Sequence, residues 1–209
     1  MYLYKTVKDY GEAEIVIEKS RFIARVMPVN SYEEAQAFVN EIKQANKQAT
    51  HNVPAIVVGP KQEMQWASDD GEPSGTSGLP MLKMITDEGL TNTAIVVTRF
   101  FGGIKLGTGG LSRAYTSIAK FGIQSAGIVE VHEGVELTYR LDYSFLPRIQ
   151  NASRNNLFHI DDTVYTDVVE LRLSCMSENE EEVEAQIQNL CNGQSNLVSK
   201  KNILNKLDI

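Results

Sequence analysis

Residues 94–115 read AIVVTRFFGGIKLGTGGLSRAY. The run Ala94 to Val97 is compact and apolar, which marks a strand buried on both faces. Phe101 to Gly110 follows with five glycines and forms a loop. From Leu111 to about Ser125 the apolar residues return at helical spacing. Leu111, Ala114, Tyr115 and Ile118 share one face, and Arg113, Ser117, Lys120 and Gln124 share the other. A Gly-rich loop between a buried strand and a helix gathers backbone N–H groups that suit an anion. Arg99, Lys105 and Arg113 flank it, and Lys120 lies further along the helix. One reading makes Gly102, Gly103, Gly107, Gly109 and Gly110 a phosphate or nucleic-acid-backbone site. The other makes them tight turns and close helix–sheet contacts. The loop matches neither nucleotide fingerprint. After Gly102-x4-Gly107 a phosphate-binding loop requires Lys, and Thr108 stands there. After Gly107-x-Gly109 a dinucleotide loop requires Gly or Ala, and Ser112 stands there. No cofactor is therefore expected.

Upstream, Glu12 to Glu18 alternates apolar and acidic residues as a half-buried strand does, and Lys19-Ser20 turns it into a second strand, Arg21 to Val29. Ser31 and Glu34 form a capping box ahead of a helix carrying Ala35, Phe38, Val39 and Ile42 on one face. Ala55 to Val58 reads as another buried strand, with a partner at Glu63 to Ala67. The segment SDDGEPSGTSG, Ser68 to Gly78, forms a loop, and a short helix, Leu79 to Glu88, follows it. Ile128 to His132 reads as the last strand of this half.

Past Gly134 the order is strand (Val135 to Tyr143), helix (Phe145 to Asn155), two strands, a helix from Asn179 to Cys191 and a final strand. This βαββαβ order suggests a ferredoxin-like domain. The expected class is α+β, with domains over residues 1–133 and 134–209. The halves carry net charges of −2 and −5 within a total of −7 over 209 residues. Bulk charge therefore provides no basic surface for nucleic acid, and any such contact must be local. Cys175 and Cys191 continue apolar rows and show no metal spacing. The acidic run Glu178 to Glu184 suits a helix N-terminus on a solvated face. No apolar stretch reaches the ~20 residues of a membrane span, and no signal segment opens the chain. A cytoplasmic protein without membrane contact is expected.

The loop from Ser68 to Gly78 offers Asp69, Asp70 and Glu72. Three close carboxylates suit a hard cation, but the spacing is not that of an EF-hand and turn capping explains the same residues, so no metal is assigned. Ser74, Thr76 and Ser77 lack the elbow a nucleophilic serine needs. His51 precedes a buried strand and either pairs with Asp69 or Asp70 as a base and its orienter or is structural. Trp66 is either a stacking platform or core.

Four segments together resemble the YigZ/IMPACT family: SRFIA at Ser20, HNVPA at His51, SDDGEPSGTSGLPML at Ser68 and VVTRFFGGIKLGTGGLSRAY at Val96. The last two are long strings of low degeneracy. Two departures are mild: Val53 stands where the family often has Cys, and Ser77 where it often has Ala. The resemblance implies a first domain with the left-handed βαβ fold of a small-subunit ribosomal protein and of the fourth domain of elongation factor G. It implies a second domain similar to the last domain of elongation factor G. Eukaryotic members contact a kinase-activating partner through an additional N-terminal domain. No such domain is expected here, so the kinase role is not carried over.

The leading expectation is a non-enzymatic, translation-associated protein that binds ribosome or RNA. Arg99, Lys105, Arg113 and Lys120 would contact phosphates, with Trp66 as a stacking surface. The alternative is a small-molecule hydrolase or phosphate-handling enzyme using His51, Asp69, Asp70 and Glu72. A third reading is a module for a protein partner in translation control.

Overall fold

The computed structural model describes residues 1–209. The alternating segment Gly11–Ile17 forms β2 and pairs with β3, Ser20–Pro28, across a tight turn in which Glu18 and Lys19 both take positive φ. The buried run His51–Val58 is β4, Met64–Ala67 is β5 and Thr93–Phe100 is β6. These strands form one antiparallel sheet in the order β2-β3-β6-β4-β5. Helix α1, Tyr32–Ala45, connects β3 to β4. Ser31 Oγ accepts from the Glu34 N–H at 3.2 Å, and Glu34 reaches back to the Asn30 N–H at 2.7 Å, so the capping signal read in the sequence sets the start of α1.

Helices cover both faces of this sheet, which is why its central strands are apolar throughout. Val53, Ala55, Val57, Ile95 and Val97 pack against α2, Gly78–Asp87, and α3, Gly107–Ala126. Their alternate neighbours Ile56, Val58, Ala94 and Val96 pack against Phe38, Val39 and Ile42 of α1. Where α3 crosses β3, a Cβ on Gly122 would stand 2.8 Å from Val26 Cγ2 and 3.0 Å from the Ala24 Cβ. That glycine lets the helix approach the sheet closely and holds Tyr115 and Ile118 fully buried.

The second sheet contains β1, Tyr2–Val7; β7, Ile128–Leu141; β9, Val169–Met176; and β8, Phe158–Tyr165, in the order β1-β7-β9-β8, with β10, Asn196–Asp208, also paired to β7. Helices α4, Leu146–Ala152, and α5, Glu180–Leu190, supply Ile149, Val183 and Ile187 to a core with Leu137, Tyr139, Leu171 and Leu173. Cys175 and Cys191 are buried in that core as free thiols. Two antiparallel sheets with helices make the chain an α+β protein. It divides into two compact units, one of Tyr4–Glu130 with Asp208–Ile209 and the other of Met1–Leu3 with Val131–Leu207. No helix is long and apolar enough to cross a membrane.

The strand expected to end at His132 instead continues as β7 through Gly134. Gly134 makes no turn. A Cβ there would lie 2.3 Å from Asn205 Nδ2, so the glycine admits the Asn205 side chain against the strand. Strand β1 was not foreseen, because Tyr2 to Val7 has no clean alternation.

Candidate functional site at the start of helix α3

The carboxylates of the SDDGEP segment have separate engagements. Asp69 accepts from the N–H groups of Gly75, Ser77 and Gly78 at 2.7, 3.0 and 2.9 Å and so closes its own loop. Partial burial works against its charge, yet these three backbone donors hold its carboxyl below the usual carboxylate range. Asp70 takes positive φ. Its carboxylate accepts from the Asn52 N–H and from Lys43 Nζ, both at 2.6 Å. Glu72 is buried, and its Oε1 accepts from Arg99 Nη1 at 2.6 Å and from the Tyr115 hydroxyl at 2.9 Å. Burial, and then the Glu72 carboxylate, push the Tyr115 phenol strongly upward, so it remains a donor. Because the three carboxylates serve different partners, they do not converge as a cation site, and no group of three metal-ligating side chains exists.

His51 approaches both ends of this segment. Its Nδ1 lies 2.8 Å from the carbonyl oxygen of Asp70, and its Nε2 lies 3.7 Å from Glu72 Oε2. The expected carboxylate orienter is thus replaced by a backbone carbonyl. A carbonyl only accepts, so Nδ1 carries a proton.

The Gly-rich loop combines both roles read in the sequence. Gly102 is a packing glycine: a Cβ there would stand 2.0 Å from the Lys19 carbonyl, and its N–H donates to Ser20 Oγ at 3.2 Å. Gly103 and Gly107 take φ of +88° and +69° with open space around them. Helix α3 then starts at Gly107 with no side-chain cap from Leu106 and no acidic residue in its first turn. Its leading N–H groups and the positive end of its dipole are left bare. They border a cavity of about 400 Å³. Lys105, Gly107 and Thr108 reach it from the α3 side, and His51, Glu72 and Arg99 from the other. Pro73, Phe101, Leu106 and Leu111 give it apolar walls.

His51, Glu72, Arg99, Lys105 and Gly107 therefore line one cavity, while Gly102, Gly103, Gly109 and Gly110 shape the loop and helix start beside it. Arg113 is exposed, with Nη1 near Gly109. Arg99 needs correcting as a free phosphate contact. It is 4% exposed, bonded to Glu72 and Ser20, and stacked over Phe22 and Phe101. Lys120 is not at the site. It pairs with Glu88 and lies thirteen residues along α3 from Gly107, about 20 Å at the helical rise. Trp66 also lies elsewhere, packed against the α1-side core. Asp69 and Asp70 act as supports beneath the loop. Tyr115, Lys43, Ser20 and Phe101 belong to this network and were not singled out. Tyr115 read only as an apolar inward residue, and Lys43 is 27 residues from its partner.

The combination of a Gly-rich helix start, a buried Arg99–Glu72–Tyr115 network and a second α+β unit defines a two-part class of proteins. The Impact N-terminal domain matches residues 18–123, and the Domain of unknown function (DUF1949) matches residues 140–194. The chain is 41% identical over 197 residues to the IMPACT family member YvyE of Bacillus subtilis (strain 168), covering 94% of this chain and 91% of that protein. It is 44% identical over 101 residues to the IMPACT family member YigZ of Escherichia coli (strain K12), covering 47% and 50%. A solved structure titled "Crystal structure of an hypothetical protein" aligns with TM-score 0.61 and 29% identity over 95% of this chain and 98% of its own. The protein belongs to the IMPACT family.

Proposed function

We propose that this protein is a cytoplasmic, translation-associated regulator that binds ribosome or RNA by seating a phosphate at the first turn of α3. One observation carries the reading. A 20-residue helix opens without a side-chain cap or an acidic residue, onto a cavity that Lys105 also lines. A helix N-terminus favours an anion by roughly 0.3–1 kcal/mol at exposed positions and up to ~2 kcal/mol when partly buried, besides the hydrogen bonds it donates. The net charge of −7 argues for a local contact of modest strength. Family membership supports the link to translation, through the resemblance described above.

Two features support the finer fold assignments. The second unit runs βαββαβ with β10 and β9 on either side of β7 and β8 outermost, as a ferredoxin-like domain does. In the first unit β3 and β4 both run antiparallel to β6 and are joined through α1, a split βαβ. Its left-handedness is carried over from the family resemblance, as is the likeness to elongation factor G.

A hydrolase is the second reading, favoured by the presence of His51 in a walled cavity. Against it, Asp69 and Asp70 are engaged by backbone donors and Lys43. Co-sedimentation of the full chain with ribosomes over rising salt, beside a metal and phosphatase screen, separates the two. Association at low salt that salt releases is the expected result. No association at the lowest salt, together with measurable turnover, overturns the proposal in favour of the hydrolase.

A further inference from the structure

The cavity is chemically divided. From the α3 side it meets groups suited to an anion: the bare N–H groups of the first turn and Lys105. From the other side it meets acceptors. His51 donates through Nδ1 to the Asp70 carbonyl, which in the neutral ring leaves a lone pair on Nε2. Glu72 accepts twice at Oε1, while its Oε2 faces only that Nε2, at 3.7 Å. The separation is too long for a hydrogen bond, and two acceptors facing each other need a donor from a third group. A further polar atom on the lining residues is also unmatched: Arg99, with a side chain 5% exposed, has a buried Nε without a hydrogen-bond partner.

A ligand that suits both sides carries an anionic group, a hydroxyl donor and an apolar or aromatic body for the Phe101 wall. A ribonucleotide has all three. Its phosphate suits the α3 turn, its 2′-hydroxyl suits His51 Nε2 as the donor of its single proton, and its base suits Phe101. About 400 Å³ falls within the usual size of a small-ligand pocket and admits one nucleotide unit, not a duplex. We infer that this cavity reads the ribose 2′-hydroxyl of a single-stranded nucleotide and is where the protein tells RNA from DNA. The inference rests on the proposed phosphate seat at α3.

The test is equilibrium binding of a short single-stranded RNA and the DNA of the same sequence to the full chain. RNA should bind more tightly by up to roughly tenfold, the upper end for one hydrogen bond to a neutral acceptor. His51→Ala should bring RNA down to the DNA affinity. Lys105→Ala should weaken both nucleic acids by the same factor. If His51→Ala does not melt with the wild type, His51→Asn, whose amide stands where Nδ1 did and leaves nothing at the Nε2 position, replaces it. Equal wild-type affinity for RNA and DNA, with both weakened by Lys105→Ala, overturns the ribose inference and leaves the phosphate seat standing. An RNA preference that survives loss of the His51 ring also overturns it. Binding of neither nucleic acid removes the phosphate seat and the inference together.

Discussion

Tyr115, in the middle of α3, donates to the same Glu72 oxygen that Arg99 of β6 grips, at 2.9 and 2.6 Å. Three buried groups from a loop, a helix and a strand thus form one network that fixes the loop wall of the cavity. Removing one partner of a buried ion pair strands the other charge, so Glu72→Ala should lower unfolding stability by about 3–5 kcal/mol. Tyr115→Phe removes one hydrogen bond to a charged acceptor and should cost about 1.5–3 kcal/mol. Urea unfolding measures both. A loss near zero for Glu72→Ala would show that the network is not closed.

Asp69 gives a pH signature. Its folded carboxyl is held below the usual range, so the stability it adds is complete above the unfolded value of about 3.9. That stability is lost as pH falls through the folded value. Asp69→Asn abolishes this acid-side dependence. The urea midpoint followed from about pH 6 to about pH 2 should fall less steeply in the variant than in the wild type.

The glycines of the loop should separate by role. Gly102→Ala places a methyl against the Lys19 backbone and should cost at least about 1–3 kcal/mol. At Gly109 the nearest atom to an added Cβ is Arg113 Nη1 at 3.5 Å, within the helix, so Gly109→Ala should add about 0.5–1 kcal/mol of stability. It keeps its N–H, so binding at α3 should survive. Thermal unfolding of the two variants orders them.

A chain spanning residues 4–130 contains the whole first sheet and its three helices. Expressed alone, it should unfold in a single cooperative transition. Glu130 and Gly134 both fall within β7, so a cut at either place gives up part of that strand and neither end is expected to be favoured on that ground. Non-cooperative melting of the 4–130 fragment would count against independent folding.

Local signals carried the sequence reading far. The paired apolar and alternating runs located most of the strands, Ser31 and Glu34 located α1, and the two glycine-rich segments located the cavity. What escaped depended on tertiary contact. Tyr115 has apolar spacing, and only the fold brings its hydroxyl to Glu72, 43 residues away. Arg99 looks like a surface cation until its pairing with Glu72 is seen. Lys120 shares a helix with the site but not its end, because position along a helix is not proximity at a terminus. Trp66 lies on a strand whose pleat turns it to the α1 side.

The phosphate seat at α3 is tested most directly by the salt dependence of RNA binding in Lys105→Glu and Lys120→Glu. Lys105 lines the cavity, whereas Lys120 pairs with Glu88 further along the same helix. Lys105→Glu is expected to weaken binding and to reduce the log–log salt slope by about 0.7, the loss of one single-strand phosphate contact. Lys120→Glu is expected to leave both nearly unchanged. Equal losses in the two variants, or a full effect of Lys120→Glu with none from Lys105→Glu, would contradict a phosphate seat at the first turn of α3.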